Sequence, residues 1–272
     1  MANVDVSVVV MTLNEEENIE YCLGSVEGWS SDIHVVDSKS TDNTVELAKR
    51  YAHQVHTMRD DLIGSYEYAN MRNWVINTID FENEWVLFLD ADEQLTEDLR
   101  KEIPNKIQDS EENGFYIYRR FIFLDKWLRH GRNYTKEIRL YKYNECEYIE
   151  QGAMDYVKVN GEVGTLQSDL IHNDRKPFSD WVAKHDSTAK REAQKLLSTE
   201  GLGLALEEEN THIEGGKRHW MINNIWSKIP LYIRPFILFT YVYIIRLGIL
   251  DGLRGFLYYI HHDFWYYFLI YT

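Results

Sequence analysis

The stretch Trp85-Val86-Leu87-Phe88-Leu89-Asp90-Ala91-Asp92-Glu93 sets a short apolar run directly before a group of carboxylates. A short apolar run between polar residues is typical of a buried strand. A second run, Ile33-His34-Val35-Val36, ends in Asp37 and continues as Ser38-Lys39-Ser40-Thr41-Asp42. Ligands of open α/β sheets bind outside the carboxyl ends of the strands, which is where both acidic clusters fall. Carboxylates at these positions, with no basic partner beside them, indicate a divalent cation and the anionic ligand that it carries.

The first half of the chain alternates strand and helix signals, which predicts βαβ units and a mainly parallel sheet. Strands are predicted at Val4–Met11, Ile33–Val36, Gln54–Thr57, Trp85–Leu89 and Phe115–Phe121. Helices are predicted from Asn14 to near Gly28, Thr41 to Arg50, Ser65 to Asn77 and Thr96 to near Gln108. After Asn133 the pattern predicts short strands at Glu137–Tyr143 and Tyr156–Val159, a hairpin turn at Asn160-Gly161, and a helix from Ser179 to near Leu197. The predicted fold class is α/β.

Composition and motifs exclude several function classes. The formal charge of −15 argues against nucleic acid as a partner, because binding a phosphate backbone needs clustered Lys and Arg. No G-x-G-x-x-G follows the first strand and no G-x-x-x-x-G-K-[ST] occurs, which argues against NAD enzymes and P-loop NTPases. The two cysteines form neither a disulfide framework nor a zinc pattern. A strand begins almost at once, so we expect no secretory signal.

The last part of the chain has a different composition. Residues 211–272 hold six Lys or Arg against three acids, so this region is basic while the rest is strongly acidic. Within it, Leu231–Leu250 and Leu253–Tyr271 are rich in Phe, Tyr, Ile and Leu, but charged residues, Pro235 and histidines interrupt both. The mixture predicts amphipathic helices lying in a membrane interface rather than spanning it. The alternatives are packing on the catalytic domain or a homo-oligomer interface.

Three of these stretches together resemble glycosyltransferase family 2. They are Val10–Ile19, Val35–Thr44 and Leu89–Glu93. The chain is most similar to the small β-glucosyltransferases of lipopolysaccharide inner-core synthesis, through Trp127–Gly131, Ile138–Tyr141 and Leu250–Phe256. The resemblance implies a GT-A fold, a Rossmann-like, mainly parallel sheet with a short antiparallel part on the acceptor side. It also implies an inverting reaction and a nucleotide-diphosphate sugar donor, usually a UDP-sugar.

The resemblance also assigns roles to residues. It places Thr12, Glu15 and Asp37 in the nucleotide pocket and Arg72 near the base or diphosphate. Asp90 would hold the ribose. Asp92 would hold Mn²⁺ or Mg²⁺, and His172 matches a family His that completes the metal shell. The ordinary alternatives are a solvated helix face for Arg72 and a structural, hydrogen-bonded role for His172; for Asp42 we expect helix capping.

Two residues need separate arguments. Relatives carry His-Glu where this chain has Met154-Asp155, so the resemblance makes Asp155 the general base, with a shorter reach and no neighbouring His; Glu150 is the second candidate. Arg139 stands among alternating apolar residues, where an unpaired charge is costly. Binding the donor diphosphate would account for its charge, since Arg suits phosphate oxygens; a structural salt bridge is the alternative.

The sequence therefore predicts an inverting, metal-dependent glycosyltransferase with a glycan or glycolipid acceptor, peripheral at the cytoplasmic membrane face. Its domains would be a catalytic domain at 1–210, divided into a nucleotide-sugar half (1–120) and an acceptor half (121–210), and a membrane-associating region at 211–272. A rival uses a polyprenyl-phosphate or lipid-linked oligosaccharide acceptor. A sugar nucleotidyltransferase is disfavoured because the acidic loop Asn14–Glu17 would repel a triphosphate. The non-enzymatic alternative is an inactive sugar-nucleotide-binding membrane scaffold.

Overall fold

The computed structural model describes residues 3–64, 68–131, 133–151, 154–198 and 226–271. Two compact units make up the chain: Met1–Trp127, Asn133–Glu150 and Asp155–Arg175 form the first, and Leu128–Arg132, Gln151–Met154 and Lys176–Thr272 form the second. The predicted domain boundary between 210 and 211 and the predicted helix start at Ser65 both lie outside the described residues.

The first unit is built on a mixed sheet. Its strands are β1 (Val6–Thr12), β2 (Ile33–Asp37), β3 (Gln54–Thr57), β4 (Trp85–Asp90), β5 (Glu93–Leu95), β6 (Gly114–Phe123), β7 (Lys126–Trp127), β8 (Lys136–Lys142) and β11 (Val163–His172). Their order is β3-β2-β1-β4-β8-β6-β11-β5, with β7 paired to β6. The β3-β2-β1-β4 part and the β6/β11 pair are parallel, while β8 runs antiparallel to both neighbours. The predicted α/β fold with an antiparallel part is confirmed.

Successive side chains of the central strands point to opposite faces of the sheet, and each face has its own hydrophobic core. Val8 and Leu87 face one side of the sheet, where α1 (Ile19–Gly24), α2 (Thr44–Ala48) and α4 (Glu97–Ile107) lie. Val9 and Phe88 face the other side, which is covered by α3 (Tyr68–Thr78) and a two-stranded sheet of β9 (Cys146–Gln151) and β10 (Met154–Val159). Strands buried on both faces read as continuous apolar runs, which is why the run before Asp90 is apolar throughout and the run before Asp37 is apolar except for His34.

Several predicted elements differ in extent from those observed. Helices α1 and α2 are shorter than predicted, because turns form at both of their ends. The sequence predicts that Asp42 caps α2, but the N-cap position is Asn43, which makes no side-chain capping bond; Asp42 accepts hydrogen bonds from the amide and hydroxyl of Thr44, the first residue of α2. The hairpin predicted at Asn160-Gly161 is wrong: β10 pairs with β9, and this turn leads into the other sheet, where β11 lies beside β6.

The second unit is mainly helical in its described part. It contains α5 (Phe178–Ser198), α6 (Arg234–Thr240), α7 (Gly252–Tyr259) and α8 (Tyr267–Tyr271), joined partly by 3₁₀ and π turns. The two long C-terminal helices predicted are broken into these shorter pieces, with Leu247 in the left-handed region (φ 60°) at the main break. No single described helix has the length and apolarity to cross a membrane. One pair, Leu231–Ile245 and Gly248–Tyr271, bent by 71°, passes that test by length and composition.

Asp251 organises the short segment Leu128–Arg132 within this unit. Its carboxylate, 2 % exposed, accepts hydrogen bonds from the amides of Arg129 and His130, both at 3.1 Å, and from the hydroxyl of Tyr259 at 2.8 Å. Gly131 has φ +68°, and a Cβ there would lie 2.7 Å from the Tyr259 hydroxyl oxygen. Two motifs that are far apart in the sequence, Trp127–Gly131 and Leu250–Phe256, therefore meet in one hydrogen-bonded cluster.

Candidate active site

The parallel strands bring the predicted nucleotide-binding residues to one edge of the sheet. Thr12 lies opposite Asp37 in the β1/β2 register, and Met11 lies opposite Asp90 in the β1/β4 register. All three strands run in the same direction, so the side chains at their carboxyl ends share this edge. The structure thus brings Thr12, Asp37 and Asp90 together, as the two acidic signatures predict.

Asp37 and Glu15 both have local hydrogen-bond partners at this edge. Asp37 is buried and accepts hydrogen bonds from the Thr12 hydroxyl at 3.2 Å and the Ser40 amide at 2.9 Å. The Glu15 carboxylate accepts one from the Asn18 side chain at 2.8 Å. These bonds fix the loops after β1 and β2, which makes the edge a preorganised one.

Arg72 links two of the predicted site carboxylates. On α3, its guanidinium lies 3.2 Å from Asp90 Oδ1 and 3.0 Å from Asp155 Oδ2. The rings of Phe88 and Tyr148 lie about it, with centroids 5.4 and 5.3 Å from the guanidinium carbon. Burial works to lower the pKa of Arg72, but the charges of Tyr148 and the two carboxylates raise it above its usual range. A solvated helix face, the alternative for Arg72, is therefore wrong.

Arg139, on β8, is surrounded by acids. It is 4 % exposed, and its Nη2 lies against Asp90 Oδ2, 2.8 Å from Glu93 Oε1 and 3.2 Å from Glu137 Oε2. Burial opposes ionisation of Asp90, but the neighbouring Arg139 and Arg72 hold its pKa well below the usual range. Burial raises the pKa of Glu93, which is fully enclosed. The structural salt bridge that the sequence left as an alternative for Arg139 is therefore present. It accounts for the buried charge of Arg139 without a bound phosphate.

Sequence reasoning gave no role to three charged members of this network. Glu93 receives a hydrogen bond from the Asp90 amide at 3.0 Å, which closes the turn of the acidic cluster. Arg119, on β6, lies 2.8 Å from Glu137 and 3.6 Å from Glu93. The adjacency of Glu93 to Asp92 was a usable signal. Arg119 and Glu137 give no signal in the sequence, because only the sheet order brings β8 beside β4 and β6 beside β8.

Asp92 and His172 are in contact, as the resemblance implies. The amino end of β5 meets the carboxyl end of β11, because the two strands pair in antiparallel fashion and set His172 opposite Glu93. His172 Nε2 lies 3.3 Å from Asp92 Oδ2. The other oxygen, Asp92 Oδ1, is buried and has no hydrogen-bond partner among the described residues. A buried carboxylate oxygen without a donor is costly, so this atom fits a metal ligand.

Asp155 lies at the start of β10 with its side chain 14 % exposed, and Arg72 is its ion-pair partner. Asn73, next to Arg72, holds β9 by two hydrogen bonds to the backbone of Tyr148, at 2.7 and 2.8 Å. The side chain of Glu150, the second candidate for the base, lies outside the described part of the structure.

Counted formally, the charged side chains described above are five carboxylates and three guanidiniums, a balance of −2 that suits one divalent cation. The carboxylates are Asp90, Asp92, Glu93, Glu137 and Asp155, and the guanidiniums are Arg72, Arg119 and Arg139. Oxygen ligands of this kind are those of Mg²⁺ and Mn²⁺, which are completed by substrate phosphates and water. The arrangement can therefore hold a hard cation beside a carboxylate that is able to accept a proton.

An α/β sheet with an Asp-x-Asp turn at its carboxyl edge is the architecture of nucleotide-sugar glycosyltransferases of the GT-A fold. The model of glycosyl transferase family 2 matches residues 7–166. The chain belongs to that family and is a glycosyltransferase, which confirms the resemblance seen in the sequence.

Two curated relatives carry related names. An uncharacterized glycosyltransferase of Rickettsia bellii is 30 % identical over 205 residues, which are 71 % of this chain and 67 % of the relative. The lipopolysaccharide core biosynthesis glycosyltransferase LpsC of Rhizobium meliloti is 26 % identical over 200 residues, 69 % of this chain and 71 % of the relative.

Among solved structures, residues 1–349 of S. aureus TarS in complex with UDP-GlcNAc superpose with a TM-score of 0.51 at 17 % identity, over 98 % of this chain and 90 % of that one. At this identity the similarity is one of fold.

Proposed function

We propose that this glycosyltransferase moves one hexose, with inversion, from a UDP-sugar to a glycan or glycolipid acceptor in lipopolysaccharide or other surface polysaccharide synthesis. The observation that carries the proposal is the pair of Asp92 and His172 beside Asp90, with one buried Asp92 oxygen lacking a donor. The name of the LpsC relative supports the choice of acceptor class.

The donor would lie along the edge formed by β1, β2 and β4. Thr12, Glu15 and Asp37 would contact the nucleoside, and Asp90 the ribose. Arg72 and Arg139 would face the diphosphate, and both are held beside Asp90 by contacts already formed. Preformed contacts of this kind lower the ordering cost of binding.

Asp92 and His172 would hold the Mn²⁺ or Mg²⁺ ion. When bound, such a cation neutralises charge that develops on the leaving diphosphate. The fit rests on the donor set and on the unpartnered Asp92 oxygen rather than on any bound ion.

Asp155 would deprotonate the acceptor hydroxyl. Its Oδ2 is 3.0 Å from Arg72 Nε, so the same guanidinium contacts both the donor-side carboxylate Asp90 and the proposed base. A diphosphate that drew Arg72 toward itself would free Asp155 to accept a proton. Proton abstraction would then follow donor binding.

We propose that the second unit associates peripherally with the cytoplasmic membrane face. Of the seventeen large apolar side chains exposed in the described residues, eleven lie between Tyr232 and Leu253, with Ile245 at 67 % and Leu253 at 73 % exposure. An apolar surface of this density, next to basic residues, is typical of helices that lie in a membrane interface.

The test is a panel of nucleotide-diphosphate sugars, scored by release of nucleoside diphosphate with and without lipopolysaccharide core, polyprenyl phosphate and a chelator. We expect one UDP-hexose to be turned over with core acceptor and metal only. Turnover with polyprenyl phosphate instead would support the lipid-linked rival.

The ion pair between Arg72 and Asp155 supports a second candidate, the inactive scaffold, because it occupies the proposed base. Donor binding without turnover under every acceptor condition would favour that candidate and contradict the enzyme proposed here.

A further inference from the structure

A second cluster of ionisable side chains lies at the opposite edge of the sheet from the candidate active site. Asp32 and His53 directly precede β2 and β3, and Glu82 precedes β4 by a short loop. Because these strands are parallel, their amino ends share one edge. One ligand atom from each of the three residues lies within 4.8 Å of the others.

The Asp32 carboxylate is held in place by its own hydrogen bonds. It is fully buried, and its Oδ2 accepts from the Ser7 hydroxyl and from the Glu82 amide at 3.0 Å. Its Oδ1 is 3.5 Å from His53 Nδ1. One oxygen is thus fixed by the fold while the other faces the cluster, which is how carboxylate ligands of metals are oriented.

His34 provides the second observation. The ring is 2 % exposed, and its Nδ1 lies 3.1 Å from His56 Nε2. Its Nε2 lies 2.8 Å from Asp32 Oδ1, so the two buried side chains are paired. The buried His34 ring therefore lies against the Asp32 oxygen that faces the cluster and helps to hold that oxygen in place.

We propose that Asp32, His53 and Glu82 form a Zn²⁺-class site, with water as the fourth ligand. Mixed imidazole and carboxylate ligands suit Zn²⁺ better than Mg²⁺, which takes oxygen ligands and keeps several waters. The site is separate from the proposed active-site cation, whose ligands lie at the other edge. Its role would be structural, since the ion would join the segments that enter β2, β3 and β4.

Access from solvent is provided by the two outer ligands. His53 is 47 % exposed and Glu82 is exposed, so both can take up an ion without unfolding, and substitutions there remove few contacts. Glu84, also exposed and two residues along the same loop, is a matched control carboxylate outside the cluster.

The experiment is calorimetric titration of the chelator-treated full chain with Zn²⁺, in an Asp92→Asn background so that the active-site edge does not compete. We expect one site, and binding weakened by at least about tenfold in His53→Asn and in Glu82→Gln but not in Glu84→Gln. Thermal unfolding at a Zn²⁺ concentration about a hundredfold above Kd should show a rise in Tm of roughly 5–10 °C, absent in the two ligand variants.

Co²⁺ offers a readout that does not depend on stability, because its visible absorption reports the coordination number and ligands. We expect a four-coordinate spectrum in the chain with the Glu84→Gln control and its loss in His53→Asn. No Zn²⁺ binding, or equal affinity in both ligand variants and the control, would overturn the proposal and leave the cluster as a metal-free network of ion pairs.

Discussion

Replacing Arg139 by Met is the sharpest test of the buried charge network. Met keeps an unbranched apolar stem of similar length, so the substitution removes the charge with little loss of packing. It leaves Glu93 fully buried, with Arg119 at 3.6 Å as the remaining cation, while Asp90 and Glu137 keep access to water. Removing one partner of a buried ion pair typically costs about 3–5 kcal/mol. Since Arg119 remains, we expect a loss of about 3 kcal/mol in the free energy of unfolding.

The loss of stability in Arg139→Met should depend on pH. Burial already raises the pKa of Glu93, and loss of Arg139 would raise it further. A carboxyl whose pKa is raised in the folded state favours folding at low pH, and that contribution is lost as the pH rises through the folded pKa. The deficit of Arg139→Met should therefore shrink as the pH falls from about 7.5 to about 5, when Glu93 takes up a proton.

Urea unfolding of the wild type, Arg139→Met and Arg139→Met/Glu93→Gln at both pH values measures these effects. We expect the double variant to recover most of the lost free energy of unfolding, because Gln at position 93 has no charge but fills the same space as Glu93. Arg139→Lys is the matched control and should lose less, since the charge stays. A deficit under about 1 kcal/mol, no recovery in the double variant, or a deficit that grows in acid would refute the reasoning. Weakened donor binding by the stable Lys variant would separately support the diphosphate role.

Three further predictions address chemistry and location. Asp155→Asn should keep a near-normal donor Kd by calorimetry but lower the transfer rate by about 10²–10⁴-fold, the usual contribution of a general base. Exhaustive chelation should abolish transfer and Mn²⁺ or Mg²⁺ should restore it, while Asp92→Ala should stay folded by circular dichroism and lose metal-dependent donor binding. Replacing Ile245 and Leu253 by Gln should reduce co-sedimentation with anionic liposomes, whereas Leu124→Gln, an exposed apolar residue of the other unit, should not.

The controls separate these predictions from general damage. Asp125→Asn is a matched exposed acid for Asp155→Asn and should transfer normally. Normal transfer by Asp155→Asn would move the search for the base to Glu150. Full activity after chelation would show that transfer does not need a metal ion. Unchanged sedimentation of the double Gln variant would show that this surface does not bind the membrane.

The sheet edge was predictable because its signals are local. The apolar runs before Asp37 and Asp90 are strands buried on both faces, and the polar residues that follow mark their ends, so β2 and β4 were placed to within one residue. Helices α1 and α2 were predicted too long, since polar turn residues such as Asn14 and Asp42 resemble helix starts. Their side chains instead bind neighbouring backbone amides.

The charge network was not predictable, because its members are distant in sequence. Arg139 could be read as a buried charge from its apolar neighbours, but its partner Glu93 is 46 residues away and meets it only because β8 runs beside β4. The same holds for β10: Asn160-Gly161 has hairpin chemistry, yet β10 pairs with β9. Pairing of this kind is decided by tertiary packing, which local propensity does not encode.

The cluster around Asp251 has a consequence for how the chain is made. The amides of Arg129 and His130 donate to the Asp251 carboxylate, which lies 122 and 121 residues further along the chain and is therefore synthesised later. At about 5–20 residues per second, a ribosome takes roughly 6–24 s to reach it. For that interval this segment is synthesised but lacks its acceptor. A chain that stops before Asp251 never gains this acceptor. We therefore expect truncation at this end to leave the amides of Arg129 and His130, more than a hundred residues earlier, without their hydrogen bonds to it.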